Sequence, residues 1–147
     1  MVADETPEEP QSFSAFKVVE VVDVIVPLPL VHAEVHLSES EPPYRSLEFP
    51  IGLAEGAALV HARERSRGQR PSTHELLAEL LVRSGVEVIA LRITAREGGI
   101  LLAELDTMGP RGREVVACRP SDGLVVCLRQ MVQAPILVAE ELFEVDE

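Results

Sequence analysis

The sequence predicts an α+β fold: a single domain with a mixed, largely antiparallel sheet and about three helices. Three observations lead there. Short valine-rich stretches show a period of two, whereas three other stretches space their apolar residues as helices do. These stretches run strand, strand, strand, helix, helix, strand, strand, strand, helix, strand, with mostly tight-turn connections, which is hairpin architecture. Finally, 147 residues with 46% hydrophobic content suit one domain with a core that needs no covalent staples.

Residues 1–14 are acidic, proline-rich and aperiodic, so they are expected to form a disordered tail, and the domain is placed at residues 15–145. Residues 16–26 carry valine on both faces, which suits a strand covered on both sides. Pro27 and Pro29 end it, because proline cannot donate to a ladder. Residues 31–37 alternate, with Ala33, Val35 and Leu37 facing one way and His32, Glu34 and His36 the other. Those three polar side chains are zinc-type ligands on one strand face, but a half-buried strand with a solvated face has the same pattern, and that is the reading adopted. Pro42-Pro43 makes a turn and residues 47–51 a short strand.

Gly52 is expected where this strand swings into a helix over residues 54–65, with Ala57, Ala58, Val60 and His61 on its contact side and His61 structural. Glu55 falls in the first turn, where the helix dipole favours a carboxylate. The second helix, 73–84, carries an apolar stripe of Leu76, Leu77, Leu80 and Leu81 and stops at Gly85. Strands follow at 86–94 and 100–105, joined through Gly98-Gly99, and at 114–118. A third helix is predicted over 122–131 and a last short strand over 135–138.

Two segments echo each other 49 positions apart: Arg70-Pro71-Ser72-Thr73-His74-Glu75-Leu76 and Arg119-Pro120-Ser121-Asp122-Gly123-Leu124. Each places an arginine, a proline and a hydroxyl ahead of an apolar run, the signature of a helix start. Ser72 and Glu75 have the spacing of a capping box, and Ser121 with Asp122 repeats its capping half. Together with Ile51-Gly52-Leu53-Ala54-Glu55-Gly56, these segments resemble the three boxes of the bifunctional nuclease domain family over about residues 17–145. Gly56, Glu75 and Gly123 stand where that family usually has Ala, Asp and Ala.

The resemblance implies a nuclease that hydrolyses phosphodiester bonds of RNA or DNA. Its candidate catalytic residues are His74, Asp122, Glu75 and Glu55, and its candidate phosphate-binding residues are Arg70, Arg119 and Ser121. Imidazole is the side chain suited to proton transfer near neutrality. Carboxylates suit Mg²⁺ or Mn²⁺, so a divalent cation is expected with them, and planar guanidinium forks grip phosphate. The same residues also describe two ion-paired, capped helix starts that dock halves of a domain. The alternative function is therefore a non-catalytic oligomeric interaction module or an anion- or nucleotide-sensing one, and a homodimer is expected on general grounds.

Charge weighs on the choice of partner. The formal net charge is −12, with four acids in residues 1–10 and five in residues 140–147. Taking those nine from 25 leaves 16 acids against 13 bases in the body, and Lys17 is the one lysine. RNA or DNA is thus a candidate partner without the strong basic surface that non-specific binding uses. No run of about 18 apolar residues offers a membrane span, and no positively charged leader precedes residues 18–35, so a cytoplasmic location is expected. Cys118 and Cys127 are read as two buried thiols.

Overall fold

The computed structural model describes residues 15–67 and 70–143, and the expected amino-terminal tail lies outside them. Among the described residues there are seven strands: β1 (Phe16–Ile25), β2 (Ala33–Glu39), β3 (Ser46–Ile51), β4 (Glu87–Glu97), β5 (Ile100–Gly109), β6 (Gly112–Cys118) and β7 (Ile136–Ala139). Three α-helices join them: α1 (Leu53–Glu64), α2 (Thr73–Arg83) and α3 (Pro120–Arg129). The strands form one sheet in the order β3-β2-β1-β7-β4-β5-β6. β7 lies parallel to β4, and every other pairing is antiparallel. The α+β class with a mixed, mostly antiparallel sheet is the one the sequence predicts.

Cross-strand register locates the core. Val19 pairs with Ile136 and Ile136 with Leu91, so all three share one face, and all are buried. The helices pack on that face, where two glycines let them approach closely. A Cβ added at Gly56 of α1 would come within 2.6 Å of the Ala33 Cβ, and one at Gly123 of α3 within 2.5 Å of Leu91 Cδ1. Close approach also sets the roll of α1, which buries Gly56, Leu59 and Ala62; of the expected contact residues Ala58 packs against the core and Val60 is half-buried, whereas Ala57 and His61 are exposed. His61 is exposed and meets Ser66 Oγ at 3.0 Å.

The opposite face of the sheet carries no helix. Val18 and Val22 are 48% and 51% exposed, which corrects the expectation that residues 16–26 are covered on both sides. Valine favours extended backbone whether or not its face is covered, so the two cases look alike in sequence. Charge compensates part of this open face: Asp106, 1% exposed, accepts hydrogen bonds from Arg113 Nε at 2.8 Å and Arg92 Nη1 at 3.1 Å.

The α2 stripe is also less covered than expected. Leu81 packs against the core, whereas Leu76 and Leu80 stay about half exposed, because α2 rests on α3 instead of on the sheet. The gap beneath it is the cavity described next.

Candidate functional site

The three boxes meet at one end of the helical layer. Gly52 is the N-cap of α1 and makes no side-chain cap bond. A Cβ there would fall 2.1 Å from Glu55 Oε2, so the bare glycine leaves room for the Glu55 carboxylate to fold back over its own helix start. Ser72 caps α2, its hydroxyl accepting from the Glu75 amide at 3.3 Å, which places His74 in the first turn. In α3 the N-cap is the Arg119 backbone and Pro120 takes the first helical position. The helix therefore starts before the predicted residue 122, and Ser121 is buried within the first turn rather than acting as a cap. Proline at the first position is preorganised for helix and loses no bond there.

Asp122 is the hub. His74 Nε2 lies 2.9 Å from Asp122 Oδ1, and Arg119 donates from Nε to Oδ2 at 2.8 Å and from Nη2 to Oδ1 at 3.1 Å. The same guanidinium reaches Glu55 Oε1 through Nη1 at 3.5 Å. Burial pushes the Asp122 carboxyl up, but the bonds from Arg119 and His74 outweigh it and hold the group below the usual carboxylate range. An ionised Asp122 can only accept, so Nε2 of His74 carries the proton and Nδ1 is the nitrogen it leaves unengaged.

His74, Asp122, Arg119 and Glu55 all line a cavity of about 740 Å³ between α2, α3 and the β5–β6 edge. Its walls are mostly apolar, with Leu77, Leu105, Val116 and Val126 among them. Cys118, Arg119 and Glu55 also border a second cavity of about 770 Å³ on the far side of Arg119, and Ser121 faces that one. The Arg119 side chain, 65% exposed, stands between the two.

Two candidates lie elsewhere. Arg70 is exposed and is not among the residues lining either cavity. Glu75 completes only the forward half of the predicted capping box, because its carboxylate turns to Arg129 Nη2 at 3.4 Å. Arg129 also donates from Nη1 to the Ser66 carbonyl at 2.7 Å. With side chains 14% and 8% exposed, this pair fastens α2 to α3 on the flank away from His74.

Sequence reasoning missed Arg129, although it follows Asp122 by two helical turns and so belongs to the same side of α3. It also missed Cys118, which borders both cavities. Cys118 and Cys127 are both free thiols. Burial, aided by the Asp122 charge, pushes Cys118 up to about 11, and burial pushes Cys127 up to about 12.

The box carboxylates do not make a cation cage as they stand, since Glu55 and Asp122 both direct oxygens at the Arg119 guanidinium. Among the described residues, the group of three whose ligand atoms lie within 4.8 Å of one another is Glu34, His36 and Glu48, on the sheet. An acidic and histidine cluster able to hold a cation is thus present, away from the boxes. Also among the described residues, no helix is long and apolar enough to cross a membrane.

Comparison with known proteins gives a family and two relatives. The family model described as the bifunctional nuclease domain matches residues 35–147. Uncharacterized proteins of Mycobacterium tuberculosis strains CDC 1551 and H37Rv are each 34% identical over 96 residues, 65% of this chain. The match spans 56% of the length of each relative.

Proposed function

The chain belongs to the bifunctional nuclease domain family, and from that premise we propose that it hydrolyses phosphodiester bonds of RNA, DNA or both at the His74–Asp122–Arg119 cluster. One observation carries this reading: residues from three separate boxes converge at the mouth of one cavity, with His74 held on Asp122 at 2.9 Å and Arg119 exposed beside it.

Phosphodiester cleavage needs a base for the attacking hydroxyl, positive charge at the phosphoryl oxygens and a proton for the leaving oxygen. Nδ1 of His74 takes the proton of the nucleophile, either water or a neighbouring 2′-hydroxyl, and the protonated ring returns it to the leaving oxygen. Asp122 fixes the tautomer and compensates the imidazolium, as a carboxylate does for a catalytic histidine elsewhere. Arg119, whose Nε–Nη2 edge is held by Asp122, offers the remaining N–H groups of its exposed guanidinium to the phosphate, and Glu55 holds the guanidinium in reach. Ser121 lies on the second cavity, where a neighbouring nucleotide rests. Arg70 contributes long-range attraction. Mg²⁺ or Mn²⁺, the ion expected with the boxes, does not fit Glu55 and Asp122 while Arg119 occupies both, so no step is routed through it.

A second reading is favoured by the way these groups neutralise one another. Arg119, Asp122 and Glu55 are already paired, and the formal charge of the chain is −12. In that reading the boxes form a structural junction of a homo-oligomeric or anion-sensing module, and the open sheet face with Val18 and Val22 supports a homodimer. A cytoplasmic location belongs to either reading.

The deciding experiment compares wild type, His74→Ala and Asp122→Ala on single-stranded RNA and DNA with Mg²⁺, with Mn²⁺ and with chelator. Loss of cleavage in both variants supports the nuclease, and equal cleavage by all three samples identifies a contaminant. A folded wild type that never cleaves, yet melts higher with nucleotide or phosphate, supports sensing. Unchanged melting leaves the oligomer, which light scattering then checks.

A further inference from the structure

The open face of the sheet holds a group of side chains that the nuclease reading leaves unused. Glu34 and His36 stand two apart on β2 and so share a face. The β2–β3 register sets Glu48 directly opposite His36. Neighbouring β1 sets Asp23 opposite His36 on the other side. The period-two trio of His32, Glu34 and His36 visible in the sequence is therefore regrouped by pairing, with Glu48 in the place of His32.

We propose that Glu34, His36 and Glu48 bind one divalent transition-metal ion of the zinc class, which staples the edge strand β3 to β2. The donor set suits such an ion, for which one imidazole and two carboxylates are ordinary ligands. The spacing suits it too. His36 Nε2 lies 3.3 Å from Glu34 Oε1, and one ligand atom from each of the three residues lies within 4.8 Å of the other two; Glu48 rests beside Nδ1, so its carboxylate must swing to the Nε2 side to join the same ion. Two donors bound about 2.1 Å from one ion at tetrahedral or octahedral angles stand about 3.0–3.5 Å apart.

An unmet need of the imidazole itself points the same way. His36 Nε2 is buried and has no hydrogen-bond partner: Glu34 Oε1 is near it, but off the line an N–H would take. A buried donor or acceptor left in that condition is costly. An ion on Nε2 satisfies the nitrogen and neutralises Glu34 at once. Glu48, 50% exposed, turns its carboxylate to complete the set, and water fills the outer positions. Among the described residues, neither Glu34 nor Glu48 pairs with a lysine or arginine, so the ion is also the cation these carboxylates lack.

The staple has a consequence for the rest of the fold. β3 is the outermost strand and ends at Ile51, one residue before the Gly52 start of α1. Fixing β3 fixes the segment that delivers Glu55. The inference stands whether or not the boxes cleave anything.

The test uses the full chain without a histidine tag, stripped with chelator and titrated with Zn²⁺ by calorimetry and with Co²⁺ by visible absorption. Wild type, Glu55→Gln and Asp122→Asn are each expected to bind one equivalent. His36→Gln and Glu48→Gln are expected to bind about tenfold more weakly or worse. All of these variants lie at partly exposed side chains, and circular dichroism confirms their folding. Zn²⁺ is further expected to slow amide exchange in β3 of the wild type and not of His36→Gln. Equal affinity in His36→Gln, loss of affinity in Asp122→Asn instead, or no binding by the folded wild type would each overturn the proposal. The last result would leave His36 as an imidazole bridging two carboxylates.

Discussion

The 2.9 Å bond between His74 Nε2 and Asp122 Oδ1 joins the first turn of α2 to the first turn of α3. It links two residues 48 positions apart in the chain. Asp122→Asn keeps the size of the side chain but removes the charge and lets an amide donate to the ring, which favours the wrong tautomer. If the cluster is catalytic, turnover on single-stranded RNA is expected to fall about 10²- to 10⁴-fold in Asp122→Asn and in His74→Ala. Substrate KM should change far less, and steady-state kinetics separates the two parameters.

Acid is expected to destabilise the domain through three carboxylates. A hydrogen bond from Arg113 against the cost of burial holds Asp106 below its usual range, a bond from Arg45 does the same for Glu39, and Asp122 is held down by Arg119 and His74 despite burial. A carboxyl lowered in the folded state stabilises it above the ordinary carboxyl range, near pH 4, and that contribution fades as pH falls through the lowered values. Melting temperature should therefore hold between about pH 7 and 5 and drop below about pH 4. Asp106→Asn should lower stability at neutrality and flatten the acid limb of the profile.

Gly123→Ala tests how closely α3 sits on the sheet. The added methyl meets Leu91 Cδ1 at 2.5 Å and Cys118 Sγ at 3.2 Å, and Leu91 is fully buried. Overpacking of this kind costs about 1–3 kcal/mol, which chemical denaturation would register as a lower midpoint with an unchanged slope. A gain in stability would show that α3 can lift away without cost.

Glu75→Ala distinguishes scaffold from site. It leaves the nearly buried Arg129 guanidinium with the Ser66 carbonyl and without its counter-charge. A loss of about 1–3 kcal/mol is expected for an orphaned group of this kind. Any cleavage activity of the folded variant should stay within a few-fold of wild type, since Glu75 faces away from the cavity. Loss of turnover at full folding would return Glu75 to the site.

The two thiols should react slowly. With Cys118 raised to about 11 and Cys127 to about 12 by burial, almost no thiolate exists at pH 8. Cys118 borders the cavities, so a disulfide reagent is expected to label it first, and Cys127 only when denaturant opens the fold.

Much of this molecule is legible in its sequence, and the exceptions share a cause. Element type follows from local signals: the alternation of Ala33, Val35 and Leu37 with polar residues in β2, the Ser72 cap of α2, and Gly98 and Gly99, whose φ values of +56° and +80° fit a two-residue hairpin turn. Of the charged heads in the two echoing helix starts, His74, Arg119 and Asp122 lie together, whereas Arg70 and Glu75 lie elsewhere. Pairing across the chain has no such local signal. It turned Glu75 to Arg129, exchanged His32 for Glu48 beside His36, left one face of β1 open, and placed β7 between β1 and β4. Each of these depends on which segment lies alongside which, and residues far apart in the chain decide it.

The position of β7 governs when the protein can fold. β1, β2 and β3 form one antiparallel meander and β4, β5 and β6 another, and Ile136–Ala139 is the four-residue bridge between them. During synthesis both meanders leave the ribosome as half-sheets, each with an apolar edge strand awaiting a partner. Removing Ile136–Ala139 would therefore be expected to leave two half-sheets with exposed, aggregation-prone edges rather than a slightly smaller version of the same fold.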